Sequence, residues 1–354
     1  KPHCGGQGVY IRHLSRELHA LGHLVEVFSG QPYPDLDHGP VLREIPSLDL
    51  YRDDDPFRTP HWREYRDWAD LLETAMMWGG AFPEPLTFSV RALRALAARA
   101  ADFDVVHDNQ GLGYGMLGVR RLGLPLVTSI HHPISVDRRI DLASAGWLGA
   151  LSRRRWYGFV RMQARVARRV ARQPGVPGSG SLITVSESSK RDICRDFRVR
   201  PEHVHIIPLG VDTRLFHPRQ EQPRVPGSIV TVTSADSPLK GLPTLLRAVA
   251  KLTTERDAHL VVIGTPSAAT RQQVTQLALG DRVTFANGLP DAEYARVLAS
   301  AEVAVIPSLY EGFSLPAVEH MASGTPLVAS RTGALPEVTG DAAVLVTSGE
   351  DEEL

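Results

Sequence analysis

Residues 307–319 have the sequence PSLYEGFSLPAVE, in which a strand pattern changes to a helical pattern within a few residues. Apolar residues before Pro307 predict a buried strand. The helix predicted after Ser314 has Pro316 in its first turn, where proline is tolerated. The loop between them contains a glycine and presents Glu311. A strand that passes through a short loop into a helix is a building unit of parallel sheets.

The same alternation of strands and helices extends over most of the chain. Helices of ten or more residues separate most of the predicted strands, which indicates parallel sheets covered by helices on both faces. Residues 51–90 fit this scheme poorly. The predicted strands lie at 24–29, 41–45, 104–107, 124–130, 182–185, 229–233, 259–264, 282–285, 303–307, 326–330 and 343–346, and the predicted helices of the second half lie at 243–252, 267–279, 291–299 and 315–322.

The length of 354 residues predicts two domains. Residues 208–228 contain four prolines, which interrupt regular structure. We therefore predict that this segment is the linker between two doubly wound α/β domains, at 1–207 and 229–354. Ligands of such sheets bind beyond the carboxyl ends of the strands, and two facing sheets would share a central cleft. The chain opens on a turn and helix and ends on an acidic helix-like turn, so we expect that a first strand and the last helices are missing.

The composition indicates a soluble globular protein. With 43% apolar residues, 22% charged residues and a net charge of -1, the chain is unlike disordered, collagen-like or nucleic-acid-coating proteins. No apolar run approaches the ~20 residues that span a bilayer. The two cysteines, Cys4 and Cys194, lie 190 positions apart. They support neither a disulfide framework nor a cysteine-rich zinc site, and a reducing cytoplasm is the natural setting.

Positive charge is concentrated in the first half of the chain. Residues 1–207 carry a net charge of +5 and residues 208–354 carry -6, and the interval 142–186 contains no carboxylate. A basic helix predicted at 147–172 leaves two interpretations open. It lies on the inner face of an anionic membrane, or it packs on the core with a solvated charged face. The arginines concerned are Arg153, Arg154, Arg155, Arg161, Arg165, Arg168, Arg169 and Arg172.

Glu311 and Glu319 are the first candidate site residues. The N-terminus of the helix between them directs free backbone N–H groups at the predicted cleft, which suits a phosphate. Glu319 lies about one turn into this helix, so the two carboxylates can hold different parts of one extended ligand. A solvated loop position is the alternative for Glu311.

Three further candidates lie at other predicted strand ends or turns. Lys240, one of four lysines against 35 arginines, stands at a strand-to-helix junction where it can meet a diphosphate, although an exposed loop lysine fits as well. Gly6 permits close approach of the backbone to a ligand, and His131 follows a strand end and faces the cleft unless it is a structural histidine. A single strand-end histidine without cysteine or carboxylate at ligand spacing predicts no zinc site.

Residues 113–118, with the sequence GYGMLG, match the G-x-G-x-x-G dinucleotide motif, and Asp137 follows about 20 residues later. The first glycine comes six residues after His107 rather than at the strand end. Helix packing by small residues is therefore favoured over a nicotinamide-dependent oxidoreductase, which stays an alternative function.

The motifs together resemble the retaining GT-B glycosyltransferases of family 4. The spacing from Glu311 to Glu319 is the E-x7-E hallmark of that family, and the resemblance covers almost the whole chain. Its other parts are GGQGVY at 5–10, LGH at 21–23, VSES at 185–188, IPLGVD at 207–212, KG at 240–241, ASGTPLV at 322–328 and GALPE at 333–337.

The resemblance implies two Rossmann-like domains and a role for each candidate. Glu311 would hold hydroxyls of the donor sugar, Glu319 would hold the ribose of the nucleotide, and Lys240 would neutralise the diphosphate. His131 would contact the donor sugar and Gly6 would line the site, while Gly312, Phe313, Ser314 and Leu315 would offer backbone N–H groups. No metal ion or other cofactor, and no nucleic-acid partner, would then be required.

One position departs from the family pattern. Many members carry an arginine about six residues before the lysine, where this chain has Ser234. The departure leaves a catalytically silent sugar-nucleotide-binding protein of the same fold as an alternative. The donor base, uracil or guanine, stays open. The acceptor would be a lipid or lipid-linked glycan if the basic helix lies on a membrane, and a small soluble molecule if this helix packs on the core.

Overall fold

The computed structural model describes residues 6–52, 54–143, 146–172, 182–219, 221–233 and 238–354. These residues form two compact units. The first consists of Gln7–Val185 and Ser189–Ile207, and the second of Gly6, Ser186–Ser188 and Pro208–Leu354. Ser234 and Gly5 lie outside the described residues.

The first unit contains two parallel sheets in its described part. One pairs β1 with β2, and the other has the strand order β3-β4-β5-β6. The strands are β1 Glu26–Ser29, β2 Val41–Glu44, β3 Val106–Asn109, β4 Leu126–Ser129, β5 Leu182–Thr184 and β6 Val204–Ile206. The helices are α1 Gly6–Ala20, α2 Trp68–Trp78, α3 Glu84–Ala97, α4 Met116–Val119, α5 Ser135–Ala143, α6 Trp147–Trp156, α7 Phe159–Ala171 and α8 Glu187–Phe197.

The second unit is a parallel sheet of six described strands in the order β12-β11-β10-β7-β8-β9. The order along the chain reverses between β7 and β10, so this unit has the doubly wound topology with its switch point between these two strands. The strands are β7 Val225–Val232, β8 His259–Ile263, β9 Val283–Ala286, β10 Ala301–Ile306, β11 Leu327–Ser330 and β12 Val344–Val346. The helices are α9 Leu242–Leu252, α10 Ala268–Gln276, α11 Asp291–Ser300, α12 Leu315–Ala322 and α13 Leu335–Thr339.

The sheet of the second unit separates two apolar cores. Consecutive residues of a strand point to opposite faces, and accordingly Ile229 packs in the core that includes Leu246 of α9, whereas Val230 packs in the core that includes Ala317 of α12. Because both faces are covered, the strands consist mainly of apolar residues. This burial fixes the ends of β7 and β10, from which the loops of the candidate site emerge.

Several predicted elements differ from the structure. Helices α2 and α3 occupy most of residues 68–97, where the alternation of strands and helices fitted poorly, and β6 lies in a segment without a predicted strand. Strand β7 begins at Val225, inside the segment that we predicted as a linker, because Val225 pairs with Ala301 and the Glu302 carboxylate accepts a hydrogen bond from the Gly227 N–H. The predicted helix at 315–322 coincides with α12.

The arginine-rich segment at 147–172 forms two helices instead of the predicted single one. Helix α6 ends where the Tyr157 N–H donates to the carbonyls of Arg153 and Arg155, and α7 begins after Gly158. The apolar side of α7 is buried in the core of the first unit, through Val160, Val166, Ala167 and Val170. The apolar side of α7 is therefore not available for insertion into a bilayer, and the packing of this helix on the core agrees with the second interpretation. None of the helices in the described residues combines the length and the apolar composition needed to cross a bilayer.

Candidate active site

The candidate site lies in the second unit at the switch point between β7 and β10. Lys240 ends a short 3-10 turn, Pro238–Lys240, that follows β7, and Glu311 lies in the loop after β10. The Leu309 N–H donates to the Leu239 carbonyl over 2.7 Å, which ties the two loops together. Gly241 adopts a φ of +64°, and a Cβ there would lie 1.9 Å from the Pro307 carbonyl oxygen. Only glycine therefore allows this close approach of the loops.

The carboxylate of Glu311 is held by two side chains. Its Oε1 atom accepts a hydrogen bond from the Lys240 ammonium at 2.7 Å and another from the Ser308 hydroxyl at 2.7 Å. Glu311 is 9% exposed and Ser308 is 2% exposed, so both lie away from bulk water. The other carboxylate oxygen, Oε2, accepts no hydrogen bond from any residue that the structure describes. Oε2 can therefore accept a hydrogen bond from a donor group of a ligand.

A third loop supports the backbone of Glu311. The Ala334 N–H donates to the Glu311 carbonyl over 2.9 Å. Gly333, with a φ of +53°, packs so closely that a Cβ would lie 2.2 Å from the same carbonyl oxygen. Since this loop follows β11, the carboxyl ends of three neighbouring strands fix the position of Glu311.

The N-terminus of α12 is left without a side-chain cap. Ser314 precedes the helix with a φ of +83°, unusual for a residue with a side chain, and its hydroxyl does not cap the helix. Within the described residues this buried hydroxyl has no hydrogen-bond partner. The first backbone N–H groups of a helix need partners, and without a cap they are available to an anion. Gly312, Phe313 and Leu315 complete the turn that leads into the helix.

Glu319 lies in a different environment on the same helix. It is 7% exposed, and its Oε2 atom accepts a hydrogen bond from the Tyr294 hydroxyl at 2.5 Å. Burial raises the pKa of Glu319 to about 7, Tyr294 opposes this rise, and the charge of Asp291 adds to it. The protonation of this carboxyl group therefore changes near neutral pH.

The sequence did not identify Ser308 or Tyr294 as site residues. Ser308 stood inside the quoted loop, and its hydroxyl could have been considered as a donor to the nearby carboxylate. Tyr294 lies on α11, 25 positions before Glu319. Only the packing of α11 beside α12 brings the two together, and no spacing rule indicates it.

His131 lies in the first unit, directly beyond β4. Its Nε2 atom is 2.8 Å from Oδ1 of Asn109, and its backbone N–H donates to Oε1 of Gln110 over 2.8 Å. An amide oxygen is only an acceptor, so His131 carries its ring proton on Nε2. Burial, together with His132 and His107, lowers the pKa of His131 to about 4. The imidazole is neutral at pH 7, and the sequence identified neither Asn109 nor Gln110.

The glycines of the two other predicted motifs have different roles. At Gly6, the first residue of α1, a Cβ would meet nothing within 4 Å in the described residues, so packing alone does not require glycine there. In contrast, a Cβ at Gly113 or Gly115 would lie 2.1 Å from a backbone oxygen of α3, and one at Gly118 would lie 2.4 Å from Leu93. The G-x-G-x-x-G match is therefore a helix-packing motif, which confirms the interpretation favoured from the sequence.

In the part of the chain that the structure describes, no three His, Cys, Asp or Glu side chains are grouped so that they could hold a metal ion. The positive charge at the candidate site comes from Lys240 and from the N-terminus of α12.

Family models match both halves of the chain. The model of "Glycosyltransferase Family 4" matches residues 4–215, and that of "Glycosyl transferases group 1" matches residues 226–354. A relative from Mycolicibacterium hassiacum, an MMP alpha-(1->4)-mannosyltransferase, is 55% identical over 360 residues, which cover 100% of this chain and 85% of the relative. A D-inositol 3-phosphate glycosyltransferase from Acidothermus cellulolyticus is 26% identical, over 98% of this chain and 75% of the relative.

Solved structures of glycosyltransferases share the fold. Sucrose-phosphate synthase from Thermosynechococcus elongatus aligns with a TM-score of 0.67 at 22% identity, over 99% of this chain and 82% of that one. HepE from Anabaena, solved with UDP and glucose, aligns with a TM-score of 0.67 at 18% identity, over 100% of this chain and 84% of that one. These likenesses show the GT-B fold, an α/β architecture with parallel sheets in two Rossmann-like domains.

Proposed function

The chain belongs to glycosyltransferase family 4, and from this membership we propose that it transfers a mannosyl group from a nucleoside-diphosphate mannose to a sugar hydroxyl. The bond formed is an α-(1→4) bond, and the anomeric configuration of the donor is retained. The 55% identity to an alpha-(1->4)-mannosyltransferase supports the choice of sugar and linkage. The donor base is uracil or guanine.

The contact between Lys240 and Glu311, beside the uncapped N-terminus of α12, is the observation that carries the proposal. In glycosyl transfer the positive charge of an oxocarbenium-like state grows on the sugar while negative charge grows on the leaving diphosphate. A lysine and free backbone N–H groups stabilise the developing negative charge, because they are in place before the reaction begins. A carboxylate next to them suits the sugar hydroxyls.

Each residue of the second unit then has one task. Glu311 accepts hydrogen bonds from hydroxyls of the donor sugar through Oε2, while Lys240 and Ser308 fix its Oε1. Backbone N–H groups among Gly312, Phe313, Ser314 and Leu315 receive the sugar and the phosphates. Glu319 holds the ribose of the nucleotide in its ionised form.

Two residues outside this cluster keep the roles that the resemblance implies. His131 contacts the donor sugar as a neutral imidazole, since its pKa lies at about 4. Gly6 lines the site with its backbone. A metal ion is not required in this proposal, since Lys240 and the N-terminus of α12 supply the positive charge at the diphosphate.

The acceptor that we propose is a soluble saccharide in the cytoplasm. The apolar side of α7 belongs to the core, so this helix does not offer an insertion surface.

The proposal is tested by incubating the full chain with GDP-mannose, UDP-mannose, GDP-glucose or UDP-glucose and a soluble α-mannoside acceptor. We expect mannose to be transferred from one of the two mannose donors, with the same rate in the presence of EDTA. NMR of the product should show an α linkage to O4 of the acceptor. The variant Glu311→Gln serves as the inactive control. Transfer of glucose only, or a β-linked product, would contradict the proposal.

A further inference from the structure

A second concave site lies on the outer side of α7, in the first unit. Four arginines, Arg161, Arg165, Arg168 and Arg172, follow each other at intervals of four, three and four residues, so they share one face of the helix region. Together with Arg198 and Ala164 they line a cavity of about 510 Å³. We call this cavity the arginine pocket.

The charge of the arginine pocket is not balanced by acidic neighbours. Helix α7 contains no Asp or Glu, and in the described parts of the chain none of the five arginines forms an ion pair with a carboxylate. Like charges four residues apart destabilise a helix. Arg168 and Arg172 lie at the C-terminal end of α7, where the negative end of the helix dipole stabilises positive charge. Arg161 and Arg165 lie too far from this end to be stabilised by it.

Parts of the arginine pocket are held in place by hydrogen bonds. The Arg168 guanidinium donates to the Phe197 carbonyl over 2.7 Å, and the Arg165 guanidinium donates to the Tyr114 hydroxyl over 3.2 Å. Arg198 follows α8 with a φ of +55° and closes the pocket from another element. Arginines that only form a solvated helix face would not require these hydrogen bonds.

We propose that the arginine pocket binds an anion that carries two or more phosphate groups. Guanidinium groups pair with phosphate oxygens through two parallel N–H bonds, and several of them in one cavity match a multiply charged ligand. The cavity has the volume of a metabolite-binding site rather than that of a single ion. The source of the phosphates is a free phosphorylated metabolite or a phospholipid headgroup. This site is additional to the donor site, to which Lys240 belongs, and the transfer reaction does not require it.

The first test measures the binding of inorganic tripolyphosphate by calorimetry. The chain carries Lys240→Ala in every sample, so that recognition of a diphosphate at the candidate active site is weakened. We expect Arg161→Gln with Arg165→Gln to lower the affinity at least tenfold. The matched control, Arg154→Gln with Arg155→Gln, removes the same charge from α6, outside the pocket, and should change the affinity less than twofold. Equal losses for both pairs, or no binding to the parent chain, would overturn the proposal.

The second test separates the two phosphate sources. If the ligand is a lipid headgroup with two phosphates, the chain should sediment with cardiolipin vesicles but not with phosphatidylcholine vesicles. Tripolyphosphate or the Arg161/Arg165 substitutions should then release it. A free metabolite predicts tripolyphosphate binding without sedimentation. Sedimentation that is unaffected by these substitutions would exclude the pocket as the lipid site. Since both tests measure binding, a failure of the chain to transfer mannose leaves their result unchanged.

Discussion

The loop at Glu311 and the helix at Glu319 belong to one strand-loop-helix junction, yet they give their carboxyl groups opposite environments. Glu311 is paired with a lysine and a hydroxyl, whereas Glu319 is buried beside a tyrosine and has a pKa of about 7. Lys240 places an opposite charge beside Glu311, whereas burial raises the pKa of Glu319. Two residues of the same type, eight positions apart, are therefore suited to different parts of one ligand.

The largest effect is expected at Glu311. Glu311→Gln should lower the transfer rate by about 10³-fold or more, because the sugar loses its charged acceptor and Lys240 loses its partner. Binding of the free nucleotide should stay nearly unchanged, as measured by calorimetry. Glu255→Gln, at an exposed position of the same unit, is the control. If Glu311→Gln and Glu319→Gln weaken the free nucleotide equally, the division of roles is wrong.

Removal of Lys240 tests the role of the positively charged residue in the Lys240–Glu311 pair. Lys240→Ala should slow transfer by about 10²–10³, the usual cost of losing one preorganised group that stabilises developing charge. The exposed Lys251, which pairs with Asp351 on the surface, gives the matched control Lys251→Ala, since such surface pairs contribute little. Steady-state kinetics with the mannose donor measures both variants. An unchanged rate for Lys240→Ala would show that Lys240 is a loop lysine without a role in transfer.

The environment of Glu319 should appear in the pH dependence of stability. Its pKa is about 7 in the folded chain against an ordinary value of 4.5, so the folded state binds the proton more tightly than the unfolded state. This contribution to stability is complete below pH 4.5 and is lost as the pH rises through 7. Glu319→Gln, which cannot ionise, should therefore gain roughly 3 kcal/mol relative to the parent chain at pH 9. Thermal unfolding of both chains at pH 5, 7 and 9 measures the difference, and a gain that is equal at all three values would contradict the assignment.

The smallest effect is expected from Tyr294→Phe. The Tyr294 hydroxyl opposes the rise in the pKa of Glu319, so its removal should raise this pKa further. Less of the carboxylate is then ionised at pH 7, and affinity for the nucleotide should fall about fivefold there but recover at pH 9. Fluorescence titration with the nucleotide at several pH values follows this shift. A loss of affinity that does not depend on pH would indicate a packing defect, and Phe216→Leu, which removes the ring 5.8 Å from Tyr294, shows the size of such a defect.

The two units also differ in how much the sequence predicted. In the second unit the run 315–322 has a proline in its first turn and an apolar face, so local signals sufficed to predict α12 to the residue. Lys240 and Glu311 could be proposed as site residues because each lies at a predicted strand-to-helix junction. Their contact could not be predicted, because the two residues are 71 positions apart in sequence and meet only through the pairing of β7 with β10.

In the first unit, local signals competed with tertiary contacts. The strand β6 has only three residues and is defined by its pairing with β5. The break between α6 and α7 lies at Tyr157 and Gly158. The spacing of the arginines continues across this break, so it gives no sign that the helix ends there. Asn109 and Gln110 approach His131 only because β3 and β4 lie side by side. Residues that reach a site only through packing are not marked by a sequence motif.

Gly241 and Gly333 set a limit for anyone who wishes to redesign the specificity of this enzyme. Both stand where a Cβ would collide with backbone, one against Pro307 and the other against Glu311. Each of the two glycines lets a neighbouring loop pack closely beside Pro307 or Glu311. A mutant library should vary the side chains around the sugar and keep these two positions fixed, because a substitution there moves the Lys240 and Glu311 loops apart before any new pocket is made.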